Sequence, residues 1–183
     1  MADNDAGGEL AASPENRVAS RGPEPWLRGT LPEVEPVRRA VLHALELAGE
    51  DAARWCSDLS EEEMFARPAN LPSVAFQMRH IVRSLDRLLT YAEGRQLTDV
   101  QRMGLRSELA PIGTAADVHA EFRSELQRAM ERVRAFAPEQ FTEPRGVGRK
   151  LLPTTVVGLL IHCAEHTQRH VGQMVTTVKV LRA

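Results

Sequence analysis

Apolar residues recur at helical spacing in four segments of this chain, and no segment alternates apolar and polar residues with a period of two. The four segments are 33–55, 73–93, 114–136 and 154–181. Spacing of three and four residues gives each segment one apolar stripe, which must be buried against a partner. The sequence therefore predicts an all-α fold in which a four-helix bundle buries the four stripes together.

Local signals indicate how the helices are connected. A capping box from Ser60 to Glu63 predicts a short helix, and Thr98 predicts another within a long connection, residues 95–113. A connection of that length suits a crossover that lets two successive helices run parallel. Residues 144–153 contain two prolines and two glycines and predict a loop.

Composition excludes several classes of function. The 23 basic and 25 acidic side chains are mixed along 183 residues with a net charge of −2, so no basic face is predicted for nucleic acid or an anionic membrane. No apolar run reaches the roughly 18 residues of a membrane span, and the acidic first residues do not resemble a secretory signal. The two cysteines, Cys56 and Cys163, imply no disulfide framework and fit a reducing cytoplasm. We therefore expect a cytoplasmic protein without a nucleic-acid or membrane partner.

The beginning of the chain differs in composition from the rest. Residues 1–25 are rich in Ala, Gly, Ser, Pro, Asn and Asp and carry few large apolar groups, so they cannot bury enough surface to offset the cost of ordering. They predict a flexible N-terminal tail. Residues 26–183, beginning at Trp26, are long enough for one domain with its own core.

Three histidines, His162, His166 and His170, follow one another at four-residue intervals along the last predicted helix. Side chains four residues apart are roughly 5–6 Å apart at Cβ, so two imidazoles can bind one divalent ion from one side. The outer pair is roughly 12 Å apart, so one ion cannot bind all three. His162 points nearly opposite the apolar stripe and His170 lies at its edge, which favours the pair His166 and His170. The alternative is a histidine-rich face in solvent.

A metal site would need a third ligand from another helix, and His43, His80 and His119 are available. His43 points away from the apolar stripe of its helix and is predicted to lie in solvent, whereas His119 is predicted at the rim of the core. His80 lies on a polar side of the second long helix. That side also carries Ser73, Gln77, Ser84 and Tyr91, and the corresponding strip of the last helix carries His166, His170, Gln173 and Thr177. The two strips face one cleft if these helices are neighbours.

Two sequence segments resemble the DinB/YfiT-like family. They are residues 74–81, VAFQMRHI, and residues 166–173, HTQRHVGQ. The resemblance covers the chain from about residue 30 to residue 183. It implies an up-down-down-up four-helix bundle in which residues 95–113 form the crossover between the second and third helices.

The resemblance also implies a divalent metal at one end of the bundle. The implied ligands are His80, His166 and His170, and Gly172 with Gln173 matches the usual end of the motif. Zinc or nickel is the first expectation, with iron or manganese as further candidates, since all four accept histidine nitrogen.

Members of this family include thiol transferases that use low-molecular-weight thiols such as bacillithiol, and a mycothiol-dependent maleylpyruvate isomerase. The resemblance thus implies a metal-bound thiolate that attacks a small electrophilic substrate, and it also implies a homodimer. Arg79 and Arg169 either meet an anionic thiol or only solubilise the surface. The alternatives are a metal-assisted hydrolase and a non-enzymatic metal-binding bundle. The sequence identifies no catalytic acid or base.

Overall fold

The computed structural model describes residues 22–108 and 112–183. Most of the predicted flexible tail, residues 1–25, lies outside these described residues. The last residue of that tail enters a 3-10 turn, Pro25–Leu27, which packs against the first long helix.

The described residues form six α-helices and one β-hairpin. The helices are α1 (Pro36–Cys56), α2 (Glu61–Phe65), α3 (Val74–Ala92), α4 (Asp99–Ser107), α5 (Ala115–Ala135) and α6 (Val156–Leu181). The four long helices predicted from apolar spacing are confirmed as α1, α3, α5 and α6. The two short helices predicted after Ser60 and Thr98 are also confirmed, and each begins with the reciprocal hydrogen bonds of a capping box.

Helix α1 begins at Pro36, three residues later than predicted. The ring of Pro36 disfavours helical dihedrals at the preceding residue, and Glu35 is accordingly extended, with φ −52° and ψ 140°. The Glu35 carboxylate accepts hydrogen bonds from the backbone N–H groups of Val37 at 3.0 Å and Arg38 at 3.1 Å. Glu35 therefore caps the helix that the proline starts.

The prediction of a loop at residues 144–153, within a fold without strands, is wrong. Strand β1 (Pro144–Val147) pairs antiparallel with β2 (Leu152–Thr155). Each strand has four residues, one of them proline, so a two-residue alternation is too short to recognise in the sequence. Arg145 Nε donates to the carbonyl oxygen of Ala92 at 2.7 Å, which anchors the hairpin to the end of α3. Since β2 leads directly into α6, the hairpin sets where that helix begins.

The four long helices enclose one apolar core. Helix α3 packs against α5 and α6, and α1 packs against the same two helices. The largest fully buried apolar side chains of these helices include Leu42, Leu45, Met78, Ile81, Leu85, Leu89, Leu160 and Met174. Among the described residues, no helix combines the length and apolar character needed to cross a membrane. The packing makes α3 and α6 neighbours, which is the condition for their polar strips to face each other.

Two polar side chains differ from expectation in their burial. His43, predicted in solvent, is only 6% exposed, and its Nε2 lies 3.1 Å from Oγ1 of Thr30. The segment before α1 covers this side of the helix, which the periodicity of α1 alone could not show. Arg79 is also buried, and its Nε donates to the carboxylate of Glu121 on α5 at 3.2 Å. Arg79 therefore connects two helices, whereas Arg169 is exposed.

Candidate metal centre

Three histidines from two helices meet where α3 packs against α6. His80 lies on α3, and His166 and His170 lie one turn apart on α6. One ligand nitrogen of each lies within 4.8 Å of those of the other two. The ring centroids of His80 are 5.1 Å from His166 and 4.3 Å from His170, and those of His166 and His170 are 4.5 Å apart. The structure thus brings together the three residues that the sequence and the resemblance singled out.

The spacing of the three nitrogens fits a metal ion after a small adjustment. Nitrogens bound tetrahedrally at roughly 2.0–2.1 Å from zinc are about 3.3 Å apart. The upper limit of 4.8 Å leaves a contraction of at most about 1.5 Å. Rotation of the imidazole rings about their side-chain torsions can supply such a contraction without moving either helix.

A buried amide orients His170. The Oε1 of Gln77 lies 2.7 Å from Nδ1 of His170, and Gln77 Nε2 donates to Oε1 of Gln173 at 3.2 Å. Because an amide oxygen only accepts, Nδ1 of His170 carries the hydrogen and Nε2 keeps its lone pair. Gln77 is fully buried, so it holds this orientation without competition from water. The predicted polar strips of α3 and α6 therefore meet through this bond.

A buried carboxylate contacts His80 in the same way. The Oε2 of Glu108 lies 2.7 Å from Nδ1 of His80, and Oε1 accepts from Nη1 of Arg87 at 2.5 Å. Burial raises the pKa of Glu108, but the hydrogen bonds from His80 and Arg87 outweigh it and hold the pKa below its usual value. The carboxylate is therefore ionised at neutral pH. As an acceptor, it can bond to a hydrogen on His80 Nδ1.

His166 and His170 are neutral at physiological pH. Burial, followed by the nearby His170 ring, lowers the pKa of His166 from 6.5 to about 4. Burial, followed by the nearby His80 ring, lowers the pKa of His170 from 6.5 to about 4. Neutral imidazoles are the form that binds metal, so protons do not compete for these nitrogens near pH 7.

The lowered pKa values predict how the stability of the metal-free protein depends on pH. As the pH falls from 6.5 towards 4, the unfolded chain binds protons at these histidines before the folded chain does. The free energy of unfolding is therefore expected to decrease across this window. Urea unfolding in the presence of a chelator should show a shallower pH dependence for the variant His166→Asn/His170→Asn. Equal slopes for both proteins would contradict the lowered pKa values.

Other groups near the motif do not join the cluster. His162 is one turn before His166, but its Nδ1 lies 2.7 Å from the exposed carboxylate of Glu165. Cys163 is fully buried, and burial raises the pKa of its thiol to about 12, so the thiol is uncharged at neutral pH. The structure therefore distinguishes His166 and His170 from His162, in line with their positions relative to the apolar stripe.

The arrangement is consistent with an open site for a divalent metal. Three neutral imidazoles would leave a divalent ion its full charge, and three protein ligands leave coordination positions for a thiol or water. Phe76 stacks on the ring of His80, with centroids 5.3 Å apart and an interplanar angle of 16°. The three histidines thus lie on two packed helices and are restrained by neighbouring side chains.

Sequence reasoning missed Glu108. This residue lies at the end of α4, within the connection between α3 and α5, where no periodic pattern relates it to His80. Only a search for buried acids opposite a polar helix face could have suggested it. Gln77 and Gln173 were on the predicted strips, although their bond to each other was not predicted.

Comparison with known protein families found a match. A family model described as the DinB superfamily matches residues 44–174. The matched range contains all three histidines of the cluster and confirms the resemblance seen in residues 74–81 and 166–173. No curated protein and no solved structure matched the chain.

Proposed function

The chain belongs to the DinB superfamily, and on that premise we propose that its three clustered histidines bind one divalent metal ion for thiol-dependent chemistry. The proposed activity is that of an S-transferase or isomerase acting on small electrophiles. The observation that supports it most is the meeting of His80, His166 and His170 within 4.8 Å of one another. Zinc or nickel is the proposed metal, and iron or manganese also accepts this donor set.

We also propose the up-down-down-up order for the bundle. Ion pairs follow the same order along α3 and α5: Arg79 with Glu121, then Asp86 with Arg132. Hydrogen bonds between α3 and α6 follow opposite orders. Thr177 bonds to Pro72, two residues before α3, and Gln173 bonds to Gln77 on α3. These contacts support parallel packing of α3 with α5 and antiparallel packing of α3 with α6. The crossover implied for residues 95–113, of which 95–108 and 112–113 are described, would supply the return that such an order requires.

One of the protein's own residues prepares the site for this chemistry. Gln77 holds a hydrogen on Nδ1 of His170, so that the opposite nitrogen can bind the ion. When bound, a divalent ion supplies positive charge that lowers the pKa of a thiol or of water. A thiol deprotonated in this way is the stronger nucleophile towards an electrophilic carbon.

A thiol screen tests this function. Untagged zinc-loaded and nickel-loaded protein would be incubated with bacillithiol, mycothiol or glutathione and an aryl halide or epoxide, and adducts followed by mass spectrometry. With a thiol pKa near 8.5, complete deprotonation at pH 7 raises the thiolate fraction by about 30-fold. The rate of adduct formation is therefore expected to exceed that of the same thiol and electrophile without protein by a factor of that order. The increase should disappear in His170→Ala and persist in His162→Ala.

The other outcomes of the screen point to different functions. Hydrolysis of the epoxide to a diol that needs metal but no thiol would replace the transferase with a metal-assisted hydrolase. Tight metal binding without turnover of either kind would favour a non-enzymatic metal-binding bundle.

A further inference from the structure

The carboxylate of Glu108 is shared between a proposed ligand and an arginine. Its side chain is 4% exposed, with Oε2 at 2.7 Å from His80 Nδ1 and Oε1 at 2.5 Å from Arg87 Nη1. Arg87 is itself held, because its Nη2 donates to Oγ of Ser84 at 2.9 Å. Each carboxylate oxygen thus has a partner of its own.

We propose that Glu108 is a positioning residue of the metal centre, which keeps the hydrogen of His80 on Nδ1 and so leaves Nε2 to bind the ion. This inference rests on the proposed metal-binding function of the histidines. A carboxylate that accepts from the far nitrogen of a metal-binding histidine fixes the tautomer and makes the near nitrogen more basic. Among the described residues, the hydrogen-bond contact of His80 Nε2 is with Ser84 Oγ at 3.5 Å. A contact of that length is weak, so it would not prevent Nε2 from binding an ion.

Arg87 makes a carboxylate necessary at position 108 if His80 is to keep its hydrogen on Nδ1. A guanidinium only donates, so an amide in place of the Glu108 carboxylate must turn its oxygen towards Arg87. Its NH₂ group then faces His80 Nδ1, which must accept and therefore lose its hydrogen. The hydrogen of neutral His80 moves to Nε2, where it blocks metal binding. An isosteric change should thus reverse the tautomer without altering the shape of the site.

The test compares Glu108→Gln with Glu121→Gln in the full chain. Glu121 is a matched control because its carboxylate also accepts from two arginines, Arg79 at 3.2 Å and Arg83 at 2.7 Å, and it bonds to no proposed ligand. Nitrogen-15 NMR of the metal-free proteins reports the tautomer of His80, and competition with a chelator reports the zinc Kd. We expect Glu108→Gln to move the His80 hydrogen from Nδ1 to Nε2 and to raise the Kd by about 10–100-fold. Glu121→Gln should leave both unchanged.

The two readouts separate this inference from the proposed function. An unchanged His80 tautomer in Glu108→Gln overturns the positioning role, whatever the zinc affinity. Failure of the wild-type protein to bind zinc would overturn the proposed function, while the tautomer would still test Glu108. Should the amide variant not fold, Arg87→Met tests the same bond, because the inference predicts that the His80 Nδ1 hydrogen is retained there. Its loss in that variant would contradict the inference.

Discussion

Alanine at His80, His166 or His170 is expected to abolish the stabilisation of the protein by zinc. At a free zinc concentration 100 times its Kd, the wild-type protein should gain about 2.7 kcal/mol in the free energy of unfolding. For a chain of this length that gain corresponds to a rise in Tm of roughly 5–11 °C. Loss of an outer hydrogen bond costs about 10–100-fold in metal affinity, so loss of a ligand should cost more than about 100-fold. At the same zinc concentration, the gain should fall below about 0.4 kcal/mol.

Differential scanning calorimetry with and without zinc measures this effect, and His162→Ala is the control. His162 belongs to the same helix and the same histidine run, yet it lies outside the cluster. His43 is a poorer control because its buried side chain contacts Thr30, and its removal would itself lower stability. A zinc-dependent rise in Tm that survives in all three ligand variants would place the metal elsewhere.

Leu160→Ala should lower the free energy of unfolding by about 2–5 kcal/mol, whereas Ile161→Ala should change it by less than about 0.5 kcal/mol. The two residues are neighbours on α6, but Leu160 is fully buried and Ile161 is 52% exposed. Truncation of a buried leucine removes apolar contacts and leaves a cavity in the core. Truncation of the exposed isoleucine removes little that is buried.

Urea unfolding of both variants gives their free energies of unfolding. The comparison tests which face of α6 is turned towards the core. A rotation error of one residue would turn this helix by about 100° and carry His166 and His170 away from α3. Equal losses for the two variants, or the larger loss for Ile161→Ala, would therefore contradict the geometry of the metal centre as well as that of the core.

The parts of the site that lie on long helices could be predicted from the sequence. Each apolar stripe fixes the rotation of its helix, and that rotation places His80 on one polar strip and His166 with His170 on another. Whether α3 and α6 are neighbours could not be predicted in this way, because periodicity within one helix contains no information on its neighbours. Only the family resemblance implied that the two helices are adjacent, and the structure shows that α3 packs against α6.

The features that sequence reasoning missed depend on contacts between distant or short segments. The hairpin strands are too short to show a period. His43 is buried by residues before its helix. Glu108 reaches His80 from a short helix in the connection between α3 and α5. In each case the deciding contact lies outside the repeating pattern of a single long helix.

The metal content of the untagged protein tests the central claim most directly. Elemental mass spectrometry would be applied to the wild-type protein and to His80→Ala, His166→Ala, His170→Ala and His162→Ala, after each has been loaded with zinc or nickel and desalted. The account predicts close to one ion per chain in the wild type and in His162→Ala, and little in the three ligand variants. Wild-type protein that retains no metal, or ligand variants that retain as much as the wild type, would contradict it.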